Sequence, residues 1–126
     1  MLSPLQLALI GDGIHSLIVR EALLERDLKV QDMHKTAART VSAVSQSRML
    51  AVLTPLLSDE EAAIARRGRN AHAHHAAPKS ASTAEYAGAT ALEALLGYLY
   101  LTGQEDRLRE LRPYLLPNDL SAAQRE

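Results

Sequence analysis

The chain has 126 residues, enough for one compact domain and too few for a second of ordinary size. The absence of cysteine excludes a disulfide framework and thiolate chemistry, and with no Phe or Trp the core must be aliphatic. A net charge of −1 excludes no partner, but the charge is unevenly spread: Arg66, Arg67, Arg69 and Lys79 fall in a stretch without a single acid.

The first helix has a clear start. Ser3 is placed to cap it, Pro4 fits the first helical position, and Gln6 completes a capping box. Leu7, Ile10, Ile14, Leu17 and Leu24 follow helical spacing, so the helix is expected to reach about Glu25. A second helical stretch runs from about Val30 to Leu57. The polar, partly β-branched run Val41–Ser47 predicts a break, which leaves two helices of ordinary length, the second ending near Pro55. A fourth helix is expected from Ser58, with Glu61 closing a second box, Arg66 and Arg67 at its negative end and Gly68 as its stop. Residues 70–81 then read as a loop, long enough to carry function. Ser82 and Glu85 open the central helix, which ends at Thr102-Gly103. A short amphipathic helix follows over 105–112, ended by Pro113 and Pro117. The expected architecture is all-α, about six helices, as one domain over 1–116 with a frayed tail over 117–126.

Two acids stand out. Glu93 is the only charged side chain between Glu85 and Glu105, inside an apolar run. That run approaches membrane-spanning length, but its central acid and many small residues predict a buried helix of a water-soluble domain. A buried, unpaired carboxylate costs several kcal/mol, so something should meet it. Asp12 is the sole charged side chain from Met1 to Val19, on the stripe Leu5, Ala8, Asp12, Ser16, Val19 and Leu23. Small residues surround both acids: Ala8 and Ser16 in one case, Ala89, Thr90 and Gly97 in the other. If the two helices pack side by side, the carboxylates converge on one cation, and hard oxygen donors with space for water suit Mg²⁺ or Mn²⁺. Periodicity equally permits Asp12 to cap a neighbouring helix and Glu93 to pair with an arginine.

The segment Arg66-Arg67-Gly68-Arg69-Asn70, with Lys79, suits contacts to phosphate; the arginines alone also fit a solvated helix end. His34-Lys35, with Arg39 one turn on, forms a second cationic edge. His72, His74 and His75 lack a fourth partner at a Zn²⁺ ligand spacing and are expected on an exposed loop. His15 is expected at the surface or at an interface. The N-terminus Met1-Leu2-Ser3-Pro4 lacks the basic start of a signal peptide, so a cytoplasmic location and no membrane partner are expected.

Several stretches, in order, resemble the mini-ribonuclease III family: Leu7-Ala8-Leu9-Ile10-Gly11-Asp12, His34-Lys35, Val41-Ser42-Ala43 with Gln46, Arg66-Arg67-Gly68-Arg69-Asn70-Ala71, Pro78-Lys79 and Leu92-Glu93-Ala94-Leu95-Leu96-Gly97-Tyr98-Leu99-Tyr100. The resemblance covers roughly residues 4–112. It implies a helical ribonuclease III endonuclease domain, without the double-stranded-RNA-binding domain of the larger enzymes, acting as a homodimer. It further implies Mg²⁺-dependent cleavage of double-stranded RNA in maturation of precursor large-subunit (23S) ribosomal RNA, with a ribosomal protein on that precursor as a further partner. By resemblance Asp12 and Glu93 are the catalytic, metal-binding acids, and Arg66, Arg67, Arg69, Asn70, Lys79, His34 and Lys35 face the RNA. The larger enzymes carry two more acids, at the positions of Ala8 and Thr90 here. The tract His72-Ala73-His74-His75-Ala76 departs from the Lys/Ser/Gly-like loop of the family. The reduced acid set keeps open a second reading, a catalytically inactive dimeric RNA-binding or ribosome-assembly module. Apolar positions near Leu9 and Leu17 are the candidate dimer contacts.

Overall fold

The structure, a computed structural model, describes residues 2–72 and 81–117. Among them are six helices and no strand: α1 (Pro4–Leu23), α2 (Val30–Thr40), α3 (Ala43–Leu53), α4 (Asp59–His72), α5 (Thr83–Leu101) and α6 (Glu105–Leu111). Thr54–Leu56 and Arg112–Leu115 form short 3₁₀ turns.

Local chemistry sets the ends of these helices. Ser3, Ser58 and Ser82 each accept the backbone N–H of the residue three on, and Gln6, Glu61 and Glu85 each reach back to the cap's own N–H. The break between α2 and α3 falls at Val41-Ser42, where Ser42 caps α3 through the Ser45 N–H. After α5 the chain turns through Gly103 at φ 72°, a left-handed conformation that favours glycine.

The bundle is built around α5. Its apolar residues are so closely spaced that almost every face is buried, and α1, α3 and α4 all pack on it. Leu92, Leu95, Leu96 and Leu99 form the core with Leu50 and Leu53 of α3 and with Leu111 and Leu115 near the C-terminal end of the described chain. Each leucine so buried contributes about 1.5–3 kcal/mol. No helix among the described residues is long and apolar enough to cross a membrane.

Three expectations are corrected. Gly68 does not stop α4, which continues to His72. The glycine is there for packing: a Cβ at residue 68 would lie 2.9 Å from the Ala94 Cβ and 3.1 Å from the Ala91 Cα, so only a bare Cα lets α4 come this close to α5. Arg69 and Asn70 therefore sit on a helix rather than in a loop. On α1 the apolar periodicity divides between two faces. Leu7, Ala8, Gly11, His15, Val19, Ala22 and Leu23 are buried, whereas Leu9, Leu17 and Leu24 point outward, Leu9 at 74% and Leu17 at 55% exposure. His15 is not at the surface; it is fully buried, for a reason given below. The tail over 118–126, Lys79, His74 and His75 lie outside the described residues.

Candidate active site

The site begins with two glycines. A Cβ on Gly11 would overlap the backbone carbonyl of Glu93, and a Cβ on Gly97 would overlap the carbonyl of Leu7 and stand 3.1 Å from the Gly11 nitrogen. The backbones of α1 and α5 thus touch at two points one turn apart on α5. This contact sets the register of the two helices and places Asp12, the neighbour of Gly11, beside Glu93.

The two carboxyl groups meet by hydrogen bond. Glu93 is half-buried, and its pKa is pushed from 4.5 to about 8, first by loss of water around the carboxylate, then by the hydrogen bond to Asp12 and the negative charge of Asp12. Gln46 of α3 pulls the other way through a hydrogen bond of its own. Asp12, although on a stripe with Ala8, Val19 and Leu23, is exposed at the solvent side of the pair. The buried stripe of α1 runs through Gly11 and His15 and leaves Asp12 at its edge.

Behind Glu93 lies a polar chain that the sequence did not announce. Gln46, itself buried, meets Glu93 on one side and His15 on the other, with Gln46 Nε2 2.9 Å from His15 Nδ1. His15 Nε2 lies 2.8 Å from the backbone oxygen of Leu115. That carbonyl only accepts, so Nε2 carries the ring proton. Burial holds the His15 pKa below its usual value, outweighing the Leu115 carbonyl and the charge of Asp12, which both raise it. The neutral ring therefore accepts at Nδ1, and the Gln46 amide must turn its NH₂ group toward it. The Gln46 side chain also acts on Glu93, where its influence lowers the carboxyl pKa. The orientation of Gln46, the neighbour of Glu93, is thus fixed from Leu115 inward.

Neither position where the larger enzymes carry acids provides a ligand. Ala8 is packed in a small apolar cluster with Leu7, Ile64 and Ala94. The Thr90 hydroxyl donates to the Tyr86 carbonyl, 3.0 Å away on its own helix. Among the described residues no group of three or more His, Cys, Asp or Glu side chains gathers to hold a metal.

Arg66, Arg67, Arg69 and Asn70 are all exposed on α4. Because Gly68 rests against Thr90, Ala91 and Ala94, this cationic turn lies beside the turn of α5 that bears Glu93. His34 and Lys35 are exposed too, but on α2, which packs chiefly on α1 and α3. Within one chain they do not join the α4 arginines.

The sequence reading missed Gln46 and His15 as members of the site. The signal for His15 was present in the buried spacing Gly11, His15, Val19, Ala22. For Gln46 there was only its place in a motif, because its partners come from distant elements.

The model of the ribonuclease III domain matches residues 5–104. The chain belongs to the ribonuclease III family. This nuclease family includes curated relatives called mini-ribonuclease 3. The one from Symbiobacterium thermophilum is 51% identical over 111 residues, covering 87% of this chain and 85% of the relative. The one from Brevibacillus brevis is 46% identical, covering 86% and 81%. A crystal structure of a protein from Fusobacterium nucleatum superposes with a TM-score of 0.81 at 31% identity, over 87% of this chain and 88% of that one. The helical bundle around α5 is accordingly a ribonuclease III fold.

Proposed function

We propose that this ribonuclease III-type nuclease is a divalent-metal-dependent endoribonuclease that hydrolyses phosphodiester bonds in double-stranded RNA, and that Asp12 and Glu93 hold the metal. The observation that carries the reading is the meeting of these two carboxyl groups at the α1–α5 contact. Two acids held together, one of them half-buried, repel each other unless a proton or a cation sits between them. The raised pKa of Glu93 supports a proton in that place when no cation is bound. The donors are hard oxygens, which fit Mg²⁺ with Mn²⁺ as a substitute. Such an ion lowers the pKa of a bound water and offsets charge on the phosphate.

The rest of the task falls to the chain itself. Gln46, fixed by His15, aims the Glu93 carboxyl. Asp12, on the solvent side, faces the incoming substrate. Arg66, Arg67, Arg69 and Asn70 offer guanidinium and amide donors to the RNA backbone beside the acids, and Lys79 follows them in sequence. Duplex RNA is recognised mainly through its shape and backbone, which suits an exposed cationic helix face. One pair of acids cuts one strand, so both strands require two chains. The outward leucines of α1, Leu9 and Leu17, are the surface for a second copy. In such a dimer His34 and Lys35 become a second contact edge for the RNA. The substrate in this reading is precursor large-subunit ribosomal RNA in the cytoplasm, with a ribosomal protein bound to it.

The experiment is cleavage of a precursor ribosomal RNA stem with Mg²⁺ or with EDTA, followed by mapping of the ends. Asp12→Asn should reduce the rate by roughly a thousandfold or more, about 4 kcal/mol of transition-state stabilisation, while the melting temperature holds or rises because a like charge is gone. An Asp12→Asn protein that cuts as fast as the parent removes the assignment. If the parent retards the duplex on a gel and never cuts it in Mg²⁺, the chain is an RNA-binding module instead.

A further inference from the structure

On the other side of the Gln46–His15 wall lies an open cavity of about 390 Å³. It is formed where the end of α1, the faces of α2 and α3, and the C-terminal 3₁₀ turn come together. Three guanidinium groups line it: Arg26 in the turn after α1, Arg39 of α2 and Arg48 of α3. Thr36, Ser45 and Tyr114 add hydroxyls, and among the described residues no carboxylate lines it.

The wall explains why this cavity is separate from the acids. Along α3, Gln46 turns toward Glu93, while its neighbour Ser45 and Arg48 turn into the cavity. At the C-terminal turn, the Leu115 carbonyl accepts the hydrogen bond from His15 Nε2, while Tyr114 and Leu116 on either side line the cavity. The same two segments therefore present one face to each site.

The charge that concerns this cavity is that of Arg39 and Arg48. Among the described residues neither Arg39 nor Arg48 forms an ion pair. Among the described residues Arg39 donates to the neutral hydroxyl of Thr36, at 3.4 Å. Arg48 acts on Glu85 at the start of α5, as the weakest of the influences that lower the pKa of that acid. Elsewhere the same chain pairs its arginines closely, Arg107 with Glu61 and Glu110 and Arg109 with Asp106. Converging guanidiniums with hydroxyls between them and no acid match a group with several anionic oxygens, since each guanidinium fork binds two oxygens side by side. The volume admits a phosphate together with a nucleoside.

We propose that this cavity is a phosphate-binding site distinct from the Asp12–Glu93 centre. The phosphate is either that of a free nucleotide or one in the backbone of bound RNA, and both use the same guanidinium chemistry. The proposal does not depend on the nuclease reading.

The test titrates the full chain, in EDTA, with adenosine 5′-monophosphate and separately with a short RNA duplex, followed by calorimetry and amide NMR shifts. Three proteins are compared: the parent, Arg39→Ala/Arg48→Ala and Arg66→Ala/Arg69→Ala. The monophosphate should shift amides of α2, α3 and the C-terminal turn. Its affinity should fall at least tenfold in the Arg39/Arg48 variant and hold within twofold in the Arg66/Arg69 variant. A parallel fall in duplex affinity, with a shallower salt dependence, assigns the site to RNA backbone; an unchanged duplex affinity assigns it to a free nucleotide. Arg39 and Arg48 are exposed, so the variant should melt with the parent. If it does not, Arg39→Lys/Arg48→Lys keeps the charge, loses the fork, and should still weaken the monophosphate several-fold. The proposal is overturned if the monophosphate and the duplex bind the parent and the Arg39/Arg48 variant equally, or if the monophosphate shifts follow the α4 arginines.

Discussion

Two glutamates in this molecule are taken from water and treated in opposite ways. Glu61, 5% exposed at the start of α4, is met by a cation: Arg107 of α6 donates to it twice, at 2.8 and 2.9 Å, and also to the Leu56 carbonyl at 2.7 Å. Its pKa lies below the ordinary value, chiefly because of the Arg107 hydrogen bonds. Glu93, in the middle of α5, is met by another acid, and its pKa rises to about 8. The same residue type thus serves two ends. At Glu61 the charge ties α6 and the chain before α4 to the first turn of α4. At Glu93 the arrangement opposes charge and favours a proton or a cation beside it, which suits the metal-binding role proposed for the pair.

This contrast can be broken at three places, in order of expected effect. Gly11→Ala strikes the contact on which the acid pair depends. The new methyl would have to displace the Glu93 backbone, so α1 must move away from α5 at a cost of roughly 2–4 kcal/mol. Cleavage should be lost even at temperatures where circular dichroism shows the variant folded. Arg107→Ala strikes the other glutamate. It should cost about 2–3 kcal/mol, because Glu61 is left buried without its partner. Cleavage per folded molecule should remain near that of the parent, and urea unfolding alongside an activity assay measures both. The stabilising pair also has a pH signature. Because the pKa of Glu61 is depressed, its contribution is present at neutral pH and is lost as pH falls through the folded-state pKa, below 4.5; Arg107→Ala should lose that acid-side dependence. The smallest of the three is Gln46→Ala, which leaves Glu93 unaimed. It should lower cleavage by about 10–100-fold and raise the metal concentration needed, as removal of groups supporting metal ligands generally does. Gln46→Glu, which adds a third acid, should not restore the parent's behaviour.

What the sequence revealed and what it hid follow from distance along the chain. The three Ser-x-x-Gln/Glu boxes were legible because cap and partner are three residues apart. Glu93 and Asp12 were legible as solitary charges on apolar helices, and so was their meeting as a conditional. Gly68 was misread because a glycine near arginines looks like a helix stop, and only the nearness of Ala91 and Ala94 shows that it is a contact point. His15 was misread because the carbonyl that buries it belongs to Leu115, a hundred residues away. The exposure of Asp12 was missed for a related reason. The apolar positions on α1 serve two surfaces, and composition does not say which one faces α5.

The central claim is that Asp12 and Glu93 share one proton in the absence of metal and one cation in its presence. It can be read directly by following the Glu93 carboxyl carbon by NMR across pH. Folding holds a proton on Glu93 that the unfolded chain releases near pH 4.5, so the metal-free fold loses stability as pH rises from there to about 8. The account predicts a Glu93 midpoint near 8 in the metal-free parent, a midpoint shifted toward 4.5 in Asp12→Asn, and a midpoint brought below neutral pH in the parent by saturating Mg²⁺. A Glu93 that titrates near 4.5 in the parent, and that neither Asp12→Asn nor Mg²⁺ moves, would contradict it.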